Sequence, residues 1–204
     1  MDGLWLSNAP LILASSSKMR QALLAAAAIP FEAIPSSVDE RALEASLRAK
    51  NAGADEIAPC LAQAKAASVA ERKPGRLVLG ADQILVFAGR VFSKPATIAD
   101  ARAQLLDFSG QTHELQSALC VVRDGKILFQ TIAIARLTCR AYGEDFVDRY
   151  LALAGDAVLS SVGAYQLEGA GIHLFEKIEG DHATILGLPL LPLLGFLRRE
   201  GCLA

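Results

Sequence analysis

Residues 10–28 read PLILASSSKMRQALLAAAA, and this stretch decides the fold class. Pro10–Ala14 is a short apolar run of the kind that forms a buried strand. Three serines follow, and Met19–Ala28 is then built from strong helix formers. Ser15, Ser16 and Ser17 offer hydroxyls that can cap the first backbone N–H groups of that helix. A strand that turns through serines straight into a helix is a building unit of α/β proteins.

Working outward, the alternation continues. Phe31–Ile34 reads as a second strand, and Arg41–Lys50 and Ala54–Glu71 as helices separated by the stop signal Asn51–Gly53. Leu77–Leu79 and Ile84–Phe87 are expected as two β-rich segments around Gly80–Gln83, with a turn at Ala88–Arg90 leading into Val91–Phe92. Thr97 is an expected N-cap for a helix to Phe108. Glu114–Val122 and Ile127–Cys139, joined by Asp124–Gly125, form the clearest hairpin. Gly143–Leu153 reads as a helix, Ile172–Ile178 as a strand and Leu190–Arg199 as a closing helix. With no repeat, linker or composition break, residues 1–204 are expected to form a single mixed α/β domain. A long hairpin sheet would join two lobes with a cleft between them.

Composition narrows the function. Of 204 residues, 52% are apolar and 21% charged, which excludes disordered and fibrous classes. The formal net charge of −2 argues against nucleic-acid binding, which favours a basic surplus. The longest apolar run, Leu186–Leu197, is broken by Gly187, Pro189, Pro192 and Gly195 and is too short to cross a bilayer. No basic segment precedes an apolar one at the start, so no signal peptide and a cytoplasmic location are expected. Cys60, Cys120, Cys139 and Cys202 form no CxxC pair and are expected to be reduced and structural.

Four clusters carry candidate chemistry. Ser15–Arg20 places hydroxyls, two cations and a helix start together, which suits a phosphate as well as it suits plain capping. Asp39–Glu40 is a carboxylate pair before a helix. Asp82 lies among apolar β-residues and needs a partner, because a lone buried charge is costly. That partner is either Lys94, in Ser93–Lys94–Pro95, or a hard cation shared with Glu40, since Mg²⁺ favours a few carboxylate oxygens plus substrate phosphates. The glycine-rich segment Gly163–Gly171 carries Glu168 but is neither a Walker sequence nor G-x-G-x-x-G. His113, His173 and His182 lack metal-ligand spacing; His113 is expected to satisfy a backbone group. No G-x-S-x-G surrounds any serine, which argues against a serine hydrolase.

Taken in order, LILASSSKMRQALL, PFEAIPSSVDER, LAQAKA, LVLGADQILVFAGRVFSKP, ARAQLLDFSGQTHEL, VGAYQLEGAGIHLFEKIEG and LGLPLLPLLGFLRREG resemble the Maf family of nucleoside triphosphate pyrophosphatases. The resemblance covers nearly the whole chain. It implies an elongated mixed sheet flanked by helices, with a nucleotide cleft related to the inosine triphosphatase type, a homodimer, and Mg²⁺ or Mn²⁺ held by Glu40 and Asp82. It also implies Asp82 as proton acceptor with Glu40 as the other catalytic carboxylate. Arg20, Lys65 and Lys94, with Ser15 and Ser17, would face phosphate. Met19, Gln83 and Glu168 match the branch acting on 7-methyl-GTP rather than that acting on dTTP and UTP. Guanine offers adjacent N–H donors that a carboxylate can accept, and N7-methylation makes the base cationic. The rival readings are a dTTP/UTP pyrophosphatase and a non-catalytic nucleotide-binding regulator of division. Lys18 stands where the family has proline, and Ser161–Val162 where it has Asp-Lys.

Overall fold

The computed structural model describes residues 3–50 and 52–204. The elements run β1 (Leu11–Leu13), α1 (Lys18–Ala26), β2 (Phe31–Ala33), α2 (Glu40–Ala49), α3 (Ala54–Ala70), β3 (Val78–Phe87), β4 (Arg90–Phe92), α4 (Ile98–Phe108), β5 (Thr112–Arg123), β6 (Lys126–Cys139), α5 (Glu144–Ala154), β7 (Phe175–Glu179), α6 (His182–Ile185) and α7 (Leu190–Arg199). The strands form one mixed seven-stranded sheet in the order β2-β1-β3-β5-β6-β7, with β4 paired to β3. β1 runs parallel to both β2 and β3, whereas β4 and β7 run antiparallel to their partners. The fold is therefore α/β with a mixed, helix-flanked sheet.

Two compact units divide the chain. The first holds the residues up to Gln83 with Ser117–Ala133 and His182–Ala204; the second holds Ile84–Gln116 and Ile134–Asp181. The first unit has an aliphatic core of Leu11, Leu13, Leu24, Leu79, Leu119, Leu193 and Leu197, all fully buried. Parallel strands covered on both faces read as continuous apolar runs, and LIL of β1 is one. The second unit is centred on rings: Phe87, Phe92, Phe108, His113, Tyr165 and Phe175 lie with centroids 4.8–6.0 Å apart in successive pairs. Such tilted pairs suit the aromatic quadrupole.

Local chemistry explains most element ends. Ser17 caps α1 by accepting from the Arg20 N–H at 3.4 Å, and Thr97 and Asp100 form a reciprocal capping box on α4. At the β5–β6 turn Asp124 and Gly125 both have positive φ, 51° and 75°, which matches the right-handed twist of a two-residue hairpin.

Two expectations need correction. The two β-rich segments expected at Leu77–Leu79 and Ile84–Phe87 belong to one continuous strand, Val78–Phe87, because the polar Asp82 and Gln83 between them are held by neighbours on either face of β3. Ile172–Ile178 is not all strand: Ala170–Leu174 is a 3₁₀ helix, and β7 begins only at Phe175. The short α6, and the 3₁₀ segments Gly155–Ser160 and Val162–Ala164, lack the periodicity that longer elements display. Asn51 of the expected stop signal lies outside the described residues, and α2 ends at Ala49 with Lys50 as C-cap. All four cysteines are free thiols. Among the described residues no helix is long and apolar enough to cross a membrane.

Candidate functional site

One approach of backbone to backbone sets the geometry. α3 presents Ala58, Ala62 and Ala66, each fully buried, at intervals of one turn. These small side chains let the helix lie directly on β3 at Gly80, where an added Cβ would fall 2.0 Å from the Ala62 carbonyl oxygen and 2.7 Å from the Ala66 nitrogen. Lys65 is on the same helix, and Asp82 lies two residues beyond Gly80, hence on the same face of the strand.

Lys65 Nζ donates to Asp82 Oδ1 at 2.7 Å and lies 2.8 Å from Glu40 Oε2. Lysine and aspartate are buried at 5% and 7% exposure, whereas the Glu40 side chain is half exposed. Of the two partners expected for Asp82, Lys94 is not the one it meets: the side chain that pairs with it is Lys65. The structure also separates the acidic pair at the start of α2. Asp39 is the N-cap, accepting from the Ala42 N–H at 3.0 Å, and Glu40, the first helical residue, reaches the lysine. Burial pushes the Asp82 carboxyl above the ordinary range, against the charges of Lys65 and Arg20.

A second cluster occupies the opposite face of β3, as expected for the next residue along a strand. Gln83 Nε2 donates to Ser117 Oγ at 2.9 Å and to the Thr184 and Ile185 carbonyls at 3.1 and 2.9 Å. Ser117 Oγ in turn donates to the Thr184 carbonyl at 2.8 Å. The Gln83 amide nitrogen is thus fully committed, and its Oε1 is the atom left to accept from a ligand. Arg20 is pinned too: Nε donates to the Gly187 carbonyl and Nη1 to the Ala81 carbonyl, each at 2.8 Å, with a longer bond to Ser15 Oγ. Its Nη2 arm remains. Burial lowers the Arg20 pKa, opposed by the charges of Asp82 and Glu40; a guanidinium stays protonated regardless.

Ser15 and Ser17 are engaged by the chain itself, their Oγ atoms accepting from the Ser17 and Arg20 N–H groups at 3.2 and 3.4 Å. Each keeps its hydroxyl hydrogen for another acceptor. Met19 is half-buried on α1, and Lys18 is exposed at its first position. Lys94 and Glu168 belong to the second unit; both are exposed, and neither has an ion pair among the described residues.

The sequence leads to the expectation that His113 satisfies a backbone group, and the structure corrects this: its ring bonds a side chain instead. Its Nε2 shares a hydrogen bond with Tyr165 Oη at 2.8 Å, and its Nδ1 is buried without a partner. It is 1% exposed among aromatic rings, and burial pushes its pKa down to about 4. Sequence reasoning missed Ser117 and the Thr184–Gly187 carbonyls. Their side-chain identities give no signal of this, since they act through position in a strand and through backbone atoms.

The family described as "Maf-like protein" matches residues 10–200. A protein of Nitrobacter winogradskyi named nucleoside triphosphate pyrophosphatase is 54% identical over 98% of both chains. One of Bradyrhizobium diazoefficiens with the same name is 54% identical over 99% of both. A protein of Mesorhizobium japonicum named 7-methyl-GTP pyrophosphatase is 53% identical over 95% of this chain and 97% of its own.

Proposed function

The chain belongs to the family of Maf-like proteins, and from that premise we propose that it hydrolyses nucleoside triphosphates to the monophosphate and pyrophosphate, with 7-methyl-GTP preferred. The observation that carries the reading is the pair of carboxylates, Asp82 and Glu40, gathered on one buried lysine. An apolar core has no use for such a costly arrangement, and polyanion chemistry does.

The donor set fits a divalent metal. Two hard carboxylate oxygens converge within 2.8 Å of a single cationic nitrogen, and Mg²⁺ or Mn²⁺ is commonly bound by one or two carboxylates with substrate phosphates completing the shell. Glu40 and Asp82 would hold it, and when bound it supplies Lewis-acid stabilisation of phosphoryl charge and acidifies water. Asp82 accepts the proton of the attacking water. As that proton leaves, the water oxygen bonds to the α-phosphorus and the bond from the α-phosphorus to the bridging oxygen breaks. Pyrophosphate departs with the electron pair. A carboxyl held above its ordinary pKa is a better base near neutrality than an exposed aspartate. Arg20, Lys65, Lys94 and the hydroxyls of Ser15 and Ser17 offset and orient the phosphates.

Base choice rests on Met19, Gln83 and Glu168. With its nitrogen committed, Gln83 presents an acceptor, which matches an N–H donor on the base. Glu168 is accessible for the adjacent donors of a cationic 7-methylguanine. A homodimer and a cytoplasmic location complete the proposal, the first checked by sedimentation. The activity itself is tested by pyrophosphate release across canonical and modified triphosphates with Mg²⁺ or Mn²⁺. 7-Methyl-GTP is expected to lead, and Glu168→Gln to narrow its advantage; faster release from dTTP or UTP refutes the preference, and no release from any of them refutes the activity.

A further inference from the structure

The Lys65 ammonium stands at the point where Asp82 and Glu40 converge. It lies 2.7 Å from one carboxylate oxygen and 2.8 Å from the other, on a helix whose distance from β3 is set by backbone contact at Gly80. Two carboxylates brought this close repel one another unless a cation lies between them. Here that cation is a side chain.

We propose that Lys65 is a built-in placeholder that holds the two carboxylates together and competes with a divalent metal for them, so that metal binds weakly alone and tightly once a triphosphate is present. This rests on the pyrophosphatase reading for the nucleotide and for the divalent metal. The argument is electrostatic. A divalent cation that arrives without a nucleotide meets a positive charge already paired with both of its ligands, in partly dry surroundings where repulsion is poorly screened. A triphosphate changes the sign of the problem. It offers the ammonium a new anionic partner, and it gives the metal phosphate oxygens in addition to the carboxylates. Metal and nucleotide then bind with positive coupling, which by linkage is reciprocal. Lys65 would serve the site both before and after substrate arrives, first as the spacer and then as a phosphate contact.

The test needs no turnover. Mn²⁺ is titrated into the full chain by calorimetry, or by the electron paramagnetic resonance of free Mn²⁺, with and without an α,β-methylene nucleoside triphosphate that cannot be cleaved. The wild type is expected to bind Mn²⁺ weakly alone and at least tenfold more tightly with the nucleotide, a factor on the scale of ordinary coupling. Lys65→Met should bind Mn²⁺ alone about tenfold or more tightly than the wild type, and show a smaller gain from the nucleotide. Adding Asp82→Asn to Lys65→Met should abolish that gain, which ties the metal to this carboxylate. Lys65→Gln gives the same reading if the methionine variant does not fold, and Lys65→Arg, which keeps the charge, should remain weak. Equal or weaker Mn²⁺ binding by the neutral variants overturns the proposal. A chain that shows the Mn²⁺ pattern but releases no pyrophosphate overturns the functional reading instead, so the two failures are distinct.

Discussion

Gly80→Ala tests whether the approach of α3 to β3 builds the site. The new Cβ would lie 2.0 Å from the Ala62 carbonyl oxygen, 2.7 Å from the Ala66 nitrogen and 3.0 Å from the Ala66 Cβ. Side-chain atoms can rotate away, but a carbonyl and an amide nitrogen inside a helix cannot. To reach even a tight contact near 3 Å, α3 must retreat from the strand by about 1 Å. Overpacking of this kind costs about 1–3 kcal/mol, which for a chain of this size lowers Tm by about 2–12 °C. The functional loss should be larger. Lys65 rides on α3 and reaches Asp82 at 2.7 Å, so a retreat of that size leaves the ion pair too long. A misplacement of about 1 Å costs on the order of 10²-fold in turnover. Thermal melts and pyrophosphate release measured on the same preparation separate the two effects. Gly3→Ala, with open space around its Cβ, should leave both unchanged. A Gly80→Ala protein with wild-type Tm and turnover refutes the claim that this contact positions Lys65.

Asp82→Asn and Glu40→Gln should each lower pyrophosphate release by orders of magnitude in a folded protein, with circular dichroism as the control for folding; near-normal release by either refutes its catalytic assignment. Arg20→Ala should lose stability as well as substrate use, because its bonds to the Gly187 and Ala81 carbonyls are worth about 1.5–3 kcal/mol each. Lys94→Ala, exposed and without an ion pair among the described residues, should raise KM while its stability stays within about 0.5 kcal/mol. His113 has a folded pKa pushed down to about 4 from the ordinary 6.5, so the unfolded chain binds more protons between those values. Its contribution is fully present above pH 6.5 and falls away as pH drops toward 4, by about 3 kcal/mol. His113→Leu should flatten the stability profile over that window in urea titrations, even though it orphans Tyr165 Oη; an unchanged slope contradicts the assignment.

The strand–serine–helix run at Pro10–Ala28 determined the α/β class, because apolar runs, caps and helix propensity act within a few residues and are written in composition. The same is true of Thr97 as a cap and of the Asp124–Gly125 turn, whose backbone geometry belongs to the dipeptide itself. The ordered motifs determined the family, and with it the residues to examine. What the sequence alone left open was pairing. Lys65 and Lys94 are equally cationic on paper, and only the fully buried alanines of α3 lying against Gly80 bring Lys65 to Asp82. Asp39 and Glu40 are adjacent carboxylates, and only the start of α2 makes one a cap and the other a partner of the lysine. Polarity at Gln83 was equally out of reach, since its amide is oriented by a serine and two backbone carbonyls at positions 117, 184 and 185. Hydrogen-bond partners and burial depend on which chain segments meet, and that is settled by packing over long sequence separations rather than by local propensity.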